Sequence, residues 1–296
     1  VKAAGETLLV VGSLHHDLML DAPHLPRQGE TVTGHRWYPK FGGKGGNQAV
    51  AAARAGTPVR MLGAVGDDTF AALLRDTLVE ERIDTQWVAT VASHATGISV
   101  AISQSDGDYG AVIVSGANLA IDPEALTEAS LWDDVGLLLL QNEVAAELNL
   151  SAALQARRRG IRVCLNAAPA RELDPALASS VDLLIVNALE AAALCQRQVD
   201  SIADGLAAAE ELAQRHATAI VTIGGNGVAI ASDGTIARHL PAIPIDVSST
   251  HGAGDTFTGV LCAALLHGNG IDNAVDAANR AAADHVAGHT TIRPDR

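Results

Sequence analysis

Aromatic residues are scarce in this chain: three Trp, three Phe and two Tyr among 296 residues. A surface that stacks nucleobases has little to draw on at that level. Basic residues are also short, 20 against 34 acidic, for a formal charge of −14. The longest basic run, Arg157-Arg158-Arg159, suits the C-terminal end of a helix better than a phosphate-tracking stripe. Nucleic acid is therefore not an expected partner. The three cysteines, Cys164, Cys195 and Cys262, lie far apart with no C-x-x-C, so reduced thiols are expected rather than a disulfide framework or a metal knot. No H-E-x-x-H occurs among the 11 histidines, and the adjacent His15-His16 is not a zinc-ligand spacing. Long hydrophobic runs are missing too. Val135 to Leu140 has the length of a strand and not of a membrane span. The start of the sequence lacks a basic segment followed by a long apolar stretch. A cytoplasmic protein with no membrane partner is expected.

What is present is a globular composition, 48% hydrophobic and 18% charged. A chain of this length buries roughly 75% of its unfolded surface, enough for one large domain spanning residues 1–296. Thr7 to Gly12 reads as a buried strand, 47–55 as an Ala-rich helix, Val59 to Val65 as a strand and 69–81 as a helix with Phe70, Leu73, Leu74 and Leu78 on one face. Residues 13–40 read as loop, punctuated by Pro23, Pro26, Gly29, Gly34 and Pro39. Ile98 to Ser103 and Ala111 to Val114 flank a turn at 104–108 and read as an antiparallel hairpin. With parts of 13–40 it forms a small sheet inserted into a larger α/β body. Thereafter strands at 137–140, 163–165, 183–186 and 219–223 alternate with helices at 144–159 and 203–216, and helices at 254–267 and 273–286 follow a hairpin at Asp233-Gly234. Such alternation predicts a mostly parallel sheet covered by helices on both faces, an α/β fold of three layers.

Chemistry concentrates where glycines open a helix. In Thr250-His251-Gly252-Ala253-Gly254-Asp255, small residues run into an apolar helix. A helix's first turn carries unpaired N–H groups and the positive end of its dipole, and glycines let an anion approach the backbone. Asp255 there is either a general base beside a phosphoryl site or a cap before a packed helix. Phe41-Gly42-Gly43-Lys44-Gly45-Gly46-Asn47 also opens a helix. It is not a Walker loop, since Gly follows Lys44; it either cradles a polyhydroxy ligand or packs tightly. Thr222-Ile223-Gly224-Gly225-Asn226-Gly227 and Asn187…Glu190 each follow an apolar strand, at the sheet edge where ligands of parallel sheets bind. Asn187 and Glu190 either hold a hydrated Mg²⁺ near phosphates or simply start a helix.

These residues resemble the ribokinase family of sugar and nucleoside kinases, from about Leu9 to about Val286. Gly42-Gly43-Lys44-Gly45-Gly46-Asn47-Gln48 and Gly252-Ala253-Gly254-Asp255-Thr256-Phe257 carry the likeness, with Asn166 to Ala170 and Asn187…Glu190 between them in family order. The resemblance implies a ribokinase-like fold with a β-lid built from about 13–40 and 96–116. It implies transfer of the ATP γ-phosphoryl to a primary hydroxyl, most simply of ribose or a related pentose. Asp255 would be the base, and Gly252, Ala253 and Gly254 the anion hole. His15, Asp17, Gly43, Lys44, Gly45, Asn47 and Glu143 would meet the sugar. Asn187, Thr222, Gly224, Gly225, Gly227, Gly254 and Asn279 would face the nucleotide, and Glu190 would reach Mg²⁺ through water. A homodimer through the lid is implied as well. The chain departs from the family at His15, where an Asn is usual, and at Ser249, where an Asp binds potassium. Ser249 and His251 are thus weak monovalent-cation candidates, and little dependence on K⁺ is expected. The alternatives are a same-family kinase of a nucleoside, deoxy-sugar or hexose derivative, and a catalytically weak sugar-binding protein on a kinase fold.

Overall fold

The computed structural model describes residues 5–103, 109–246 and 250–288. Its elements are β1 (Thr7–Val11), β2 (His15–Asp21), β3 (Arg36–Gly42), α1 (Lys44–Arg54), β4 (Val59–Val65), α2 (Phe70–Glu80), β5 (Asp84–Thr90), β6 (Ile98–Ser103), β7 (Tyr109–Val114), β8 (Val135–Gln141), α3 (Ala146–Arg158), β9 (Arg162–Asn166), α4 (Pro175–Ser180), β10 (Leu183–Asn187), α5 (Ala188–Cys195), α6 (Ile202–Ala213), β11 (Thr218–Thr222), β12 (Val228–Ser232), β13 (Arg238–Leu240), α7 (Ala253–Leu266) and α8 (Ile271–Val286).

Leu8, Leu9, Val10 and Val11 are fully buried in β1 because a parallel strand inside a sheet is covered on both faces. Alternate residues feed two cores. Leu9, Val11, Leu138 and Leu140 pack with Ala152 of α3 and Ala208 of α6. Leu8, Val10, Leu137 and Leu139 pack with Ala49 of α1, Leu261 of α7 and Ala278 of α8. The body is a nine-stranded sheet in the order β13-β12-β11-β10-β9-β8-β1-β4-β5. From β11 to β5 all neighbours are parallel, while β12 and β13 run antiparallel at one edge. The chain leaves β1 for β4 on one side and later returns to β8 on the other. The carboxyl end of β1 therefore lies at a change in winding direction, the place where such sheets form a crevice.

The small sheet has four strands in the order β3-β2-β6-β7. The expected β6–β7 hairpin is present, and its turn at 104–108 lies outside the described residues. Residues 15–21 and 36–42, within and just past the stretch read as loop, are the strands that join this hairpin, as expected of parts of 13–40. Their sequences, His-His-Asp-Leu-Met-Leu-Asp and Arg-Trp-Tyr-Pro-Lys-Phe-Gly, hide the alternation behind polar and proline positions. Pro39 is tolerated because β3 is an edge strand, where the missing N–H breaks no ladder. The sheet is mixed: β2 pairs antiparallel with β3 and parallel with β6. Helix α1 begins at Lys44, three residues before the expected start at Asn47, so two of its glycines lie inside its first turn. No described helix is long and apolar enough to cross a membrane.

Candidate active site

Gly252 caps α7 in the left-handed region, with φ +84°. Ala253, Gly254 and Asp255 form the first turn, whose N–H groups have no acceptor inside the helix. A side chain at Gly254 would meet no atom within 4 Å, so the helix tip faces open space. Asp255 is buried beneath it. Gln48 Nε2 donates to Asp255 Oδ1 at 2.9 Å, and Asn47 Nδ2 donates to Oδ2 at 3.2 Å. Gln48 Nε2 also donates to Asn166 Oδ1 at 3.0 Å. Both amides come from α1, which meets α7 closely enough that a methyl at Gly259 would collide with the Gln48 carbonyl. Burial pushes the Asp255 carboxyl above its ordinary range, with the Lys44 charge and the Gln48 amide pulling the other way. The result is an acid that accepts protons more readily than a surface carboxylate.

A second wall comes from β2. His15 and Asp17 are two residues apart and share a face, while His16 faces away and packs its ring on Phe70 with centroids 4.7 Å apart. Asp17 pairs with Lys40 on β3 and with Ser99 on β6. Burial pushes Asp17 up to about 7, opposed by Lys40 and reinforced by the charges of Glu143 and Asp255. Gly42 leaves room beside it, since a side chain there would push the Asp17 carboxylate out of its present position. Glu143 Oε2 accepts from the Ser13 hydroxyl at 2.5 Å and from the Lys44 amide at 2.9 Å. His15 Nδ1 lies 3.8 Å from that oxygen, and His15 Nε2 is buried without a hydrogen-bond partner among the described residues. Burial holds the His15 imidazole below its usual pKa. Gly43 caps α1 at φ +84°, where a side chain would strike the backbone of Ser13 and His15. Gly45 packs under Ser13 and gives its N–H to Ser13 Oγ at 3.3 Å. Gly45 thus packs tightly against the backbone that follows β1. Ser13 is a site residue that the sequence reading passed over, because it belongs to no chemically suggestive cluster, and Gln48, though it closes the glycine motif of α1, was given no role there.

At the far end of the crevice, Asn187 and Glu190 form a reciprocal capping box on α5: Asn187 Oδ1 accepts from the Glu190 N–H at 2.9 Å, and Glu190 Oε2 accepts from the Asn187 N–H at 2.8 Å. The helix-start alternative is thus realised. Burial raises the Glu190 carboxyl, and its charge is felt from both Lys44 and Asp255, which places it electrostatically on the same crevice. Thr222 ends β11, and Gly224 and Gly225 follow with open space where side chains would be. Gly227 instead sits against Leu240 and Ala242 with φ +93°. Asn279 of α8 donates to the Pro241 carbonyl at 3.0 Å. His251 turns its ring to Asp17, Nε2 to Oδ2 3.8 Å, and its carbonyl accepts from His285 Nε2 at 2.8 Å. The other cation candidate, Ser249, lies outside the described residues. Among the described residues no group of three or more His, Cys, Asp or Glu is arranged to hold a metal ion. The three thiols are free, two of them buried.

Residues 6–295 match the profile described as pfkB family carbohydrate kinase. A ribokinase of Haemophilus influenzae is 31% identical over 284 residues, covering 95% of this chain and 92% of that protein. A deoxyribokinase of Salmonella typhi is 32% identical over 288 residues, covering 96% and 94%. The solved structure of Arabidopsis thaliana ribokinase complexed with ribose and ATP superposes with a TM-score of 0.87 at 27% identity, covering 96% of this chain and 93% of that one.

Proposed function

The chain belongs to the pfkB family of carbohydrate kinases, and from that premise we propose that it transfers the γ-phosphoryl of ATP to the primary hydroxyl of ribose or a related pentose. The observation that carries this reading is the buried Asp255 carboxylate in the first turn of α7, held by two amides of α1 below an open helix tip. In this reading Asp255 takes the hydroxyl proton as the oxygen attacks. The N–H groups of Gly252, Ala253 and Gly254, with the helix dipole, steady the charge on the moving phosphoryl. Asp17, Asn47, Lys44 and Glu143 position the sugar, with Gly43 setting the turn between them. Thr222, Gly224, Gly225, Gly227, Asn187 and Asn279 border the nucleotide.

Glu190 fits a role near Mg²⁺: its Oε2 is committed to the capping box, and its buried carboxyl shares the field of Asp255 and Lys44. The residue would hold the ion through water, and Mg²⁺ when bound neutralises phosphate charge. The whole of 1–296 would act as one catalytic domain with the small sheet as its lid.

A second acceptor class rests on His15. A buried imidazole in place of an amide offers one donor or acceptor to the ligand rather than a pair. A deoxy-sugar suits that reduced complement, in keeping with the deoxyribokinase relative. The test is ATP consumption with Mg²⁺ and a panel of ribose, 2-deoxyribose, hexoses and nucleosides. Turnover with a pentose that falls about 10²–10⁴-fold in Asp255→Ala is expected. Full turnover in Asp255→Ala would overturn the mechanism, and sugar binding with no ATP consumption would leave a binding protein.

A further inference from the structure

The backbone just before the anion hole has its carbonyls assigned one by one. The Thr250 carbonyl accepts from the Ala253 N–H at 3.3 Å, and the Gly252 carbonyl accepts from the Thr256 N–H at 2.9 Å. The carbonyl between them, that of His251, does not join α7. It accepts from His285 Nε2 at 2.8 Å, across from the last turns of α8. A carbonyl only accepts, so the imidazole carries its proton on Nε2 whether the ring is neutral or charged. The same nitrogen closes over Gly252, where an added Cβ would stand 3.1 Å from it. His285 thus holds the loop by one carbonyl and lies over the glycine that follows.

The His251 carbonyl and the Gly252 N–H belong to one peptide plane, and in a trans peptide they point in opposite directions. Fixing the oxygen against α8 therefore aims the Gly252 N–H away from α8. We propose that His285 is a positioning residue for phosphoryl transfer: by bonding the His251 carbonyl it sets the 251–252 peptide plane and so directs one of the anion-hole donors. This rests on the kinase reading given above. A preorganised donor stabilises transition-state charge only if its direction is fixed beforehand, and loss of one such donor costs on the order of 10²–10³ in kcat. A donor that is present but free to rotate costs less, roughly 10–100-fold.

The experiment compares His285→Leu, His285→Gln and His285→Ala with the parent protein, reading kcat, KM for the sugar, sugar affinity without ATP, and Tm. His285→Leu is expected to lower kcat about 10–100-fold while sugar affinity stays within about twofold. His285→Gln keeps an N–H on a shorter reach and is expected to recover part of kcat. Imidazole added to His285→Ala is expected to raise kcat with concentration, which restored packing alone would not do in a variant whose Tm is unchanged. If His285→Leu fails to fold, the contrast between His285→Gln and His285→Met reads the same donor. Unchanged kcat in His285→Leu, or a loss shared equally by kcat and sugar affinity without imidazole rescue, overturns the inference alone. No ATP consumption by the parent with any acceptor overturns the kinase reading and the inference with it.

Discussion

Asp255 keeps its two oxygens partnered through neighbours on another helix, and Gln48 matters most because one amide nitrogen serves both Asp255 and Asn166. Hydrogen bonding to the charged form lowers a carboxyl pKa, so Gln48→Leu removes a downward pull and lets burial drive Asp255 higher still. The acid limb of the kcat–pH profile is then expected to move to higher pH, with a larger loss at pH 6 than at pH 8; an unmoved limb would separate Gln48 from the titration. Asp17 makes the complementary statement about stability. Its carboxyl titrates at about 7 in the folded protein against 3.8 unfolded, so between those values the folded state holds the extra proton. Stability present below about pH 4 is therefore lost as pH rises towards 7, by an amount on the order of a few kcal/mol. Asp17→Asn is expected to flatten Tm between pH 4 and pH 8, and an unchanged slope would place the titration elsewhere. His251 bears on cations: with its carbonyl bonded by His285, turnover is expected to be alike in Na⁺, K⁺ and a bulky organic cation, and a strong K⁺ requirement would refute this.

Helix ends decide how the remaining roles can be separated. On α5, Asn187→Ala breaks the capping box and is expected to cost about 1 kcal/mol in thermal or urea unfolding. Glu190→Gln keeps a side chain able to close the box but drops the charge. If Glu190 serves Mg²⁺, that variant needs more Mg²⁺ for half-maximal rate with Tm little changed; equal Mg²⁺ dependence would leave Glu190 as a cap. Most helices and buried strands of the body were legible because a period of 3.6 or a short apolar run survives in the sequence, as in Phe70, Leu74 and Leu78 or in β8, whereas the edge strand β5 and the short α4 were not read. Strands β2 and β3 were legible only as parts of 13–40 joining the small sheet and not by their bounds, since polar residues and Pro39 break their alternation. The glycines of α1 were legible as a feature but not in their division of labour: Gly45 makes room for the backbone after β1, which only the packing reveals. Ser13, 130 residues from its partner Glu143, carried no local signal, and Gln48, 207 from Asp255, stood in the glycine motif without anything to mark its partner.

At the scale of the molecule, the crevice lies where the nine-stranded sheet changes winding direction, and the small sheet, proposed above as its lid, is inserted between β1 and α1 and between β5 and β8. The lid's edge strands expose Trp37 on β3 and Val112, Ile113 and Val114 on β7, each at least half exposed. Edge strands with bare apolar side chains invite a second sheet. If two lids pair, as the resemblance implies, Val112→Glu with Val114→Glu is expected to shift the protein from dimer to monomer in sedimentation velocity. A parent protein that sediments as a monomer would remove the lid from assembly altogether. Two of the connections of the small sheet converge on one residue. Strand β2 begins two residues after Ser13, and β3 ends two residues before Lys44. Both roots are fastened to one carboxylate, Glu143. One carboxylate thus spans the gap between the segment entering β2 and the segment leaving β3, so any change at Glu143 is felt by both at once.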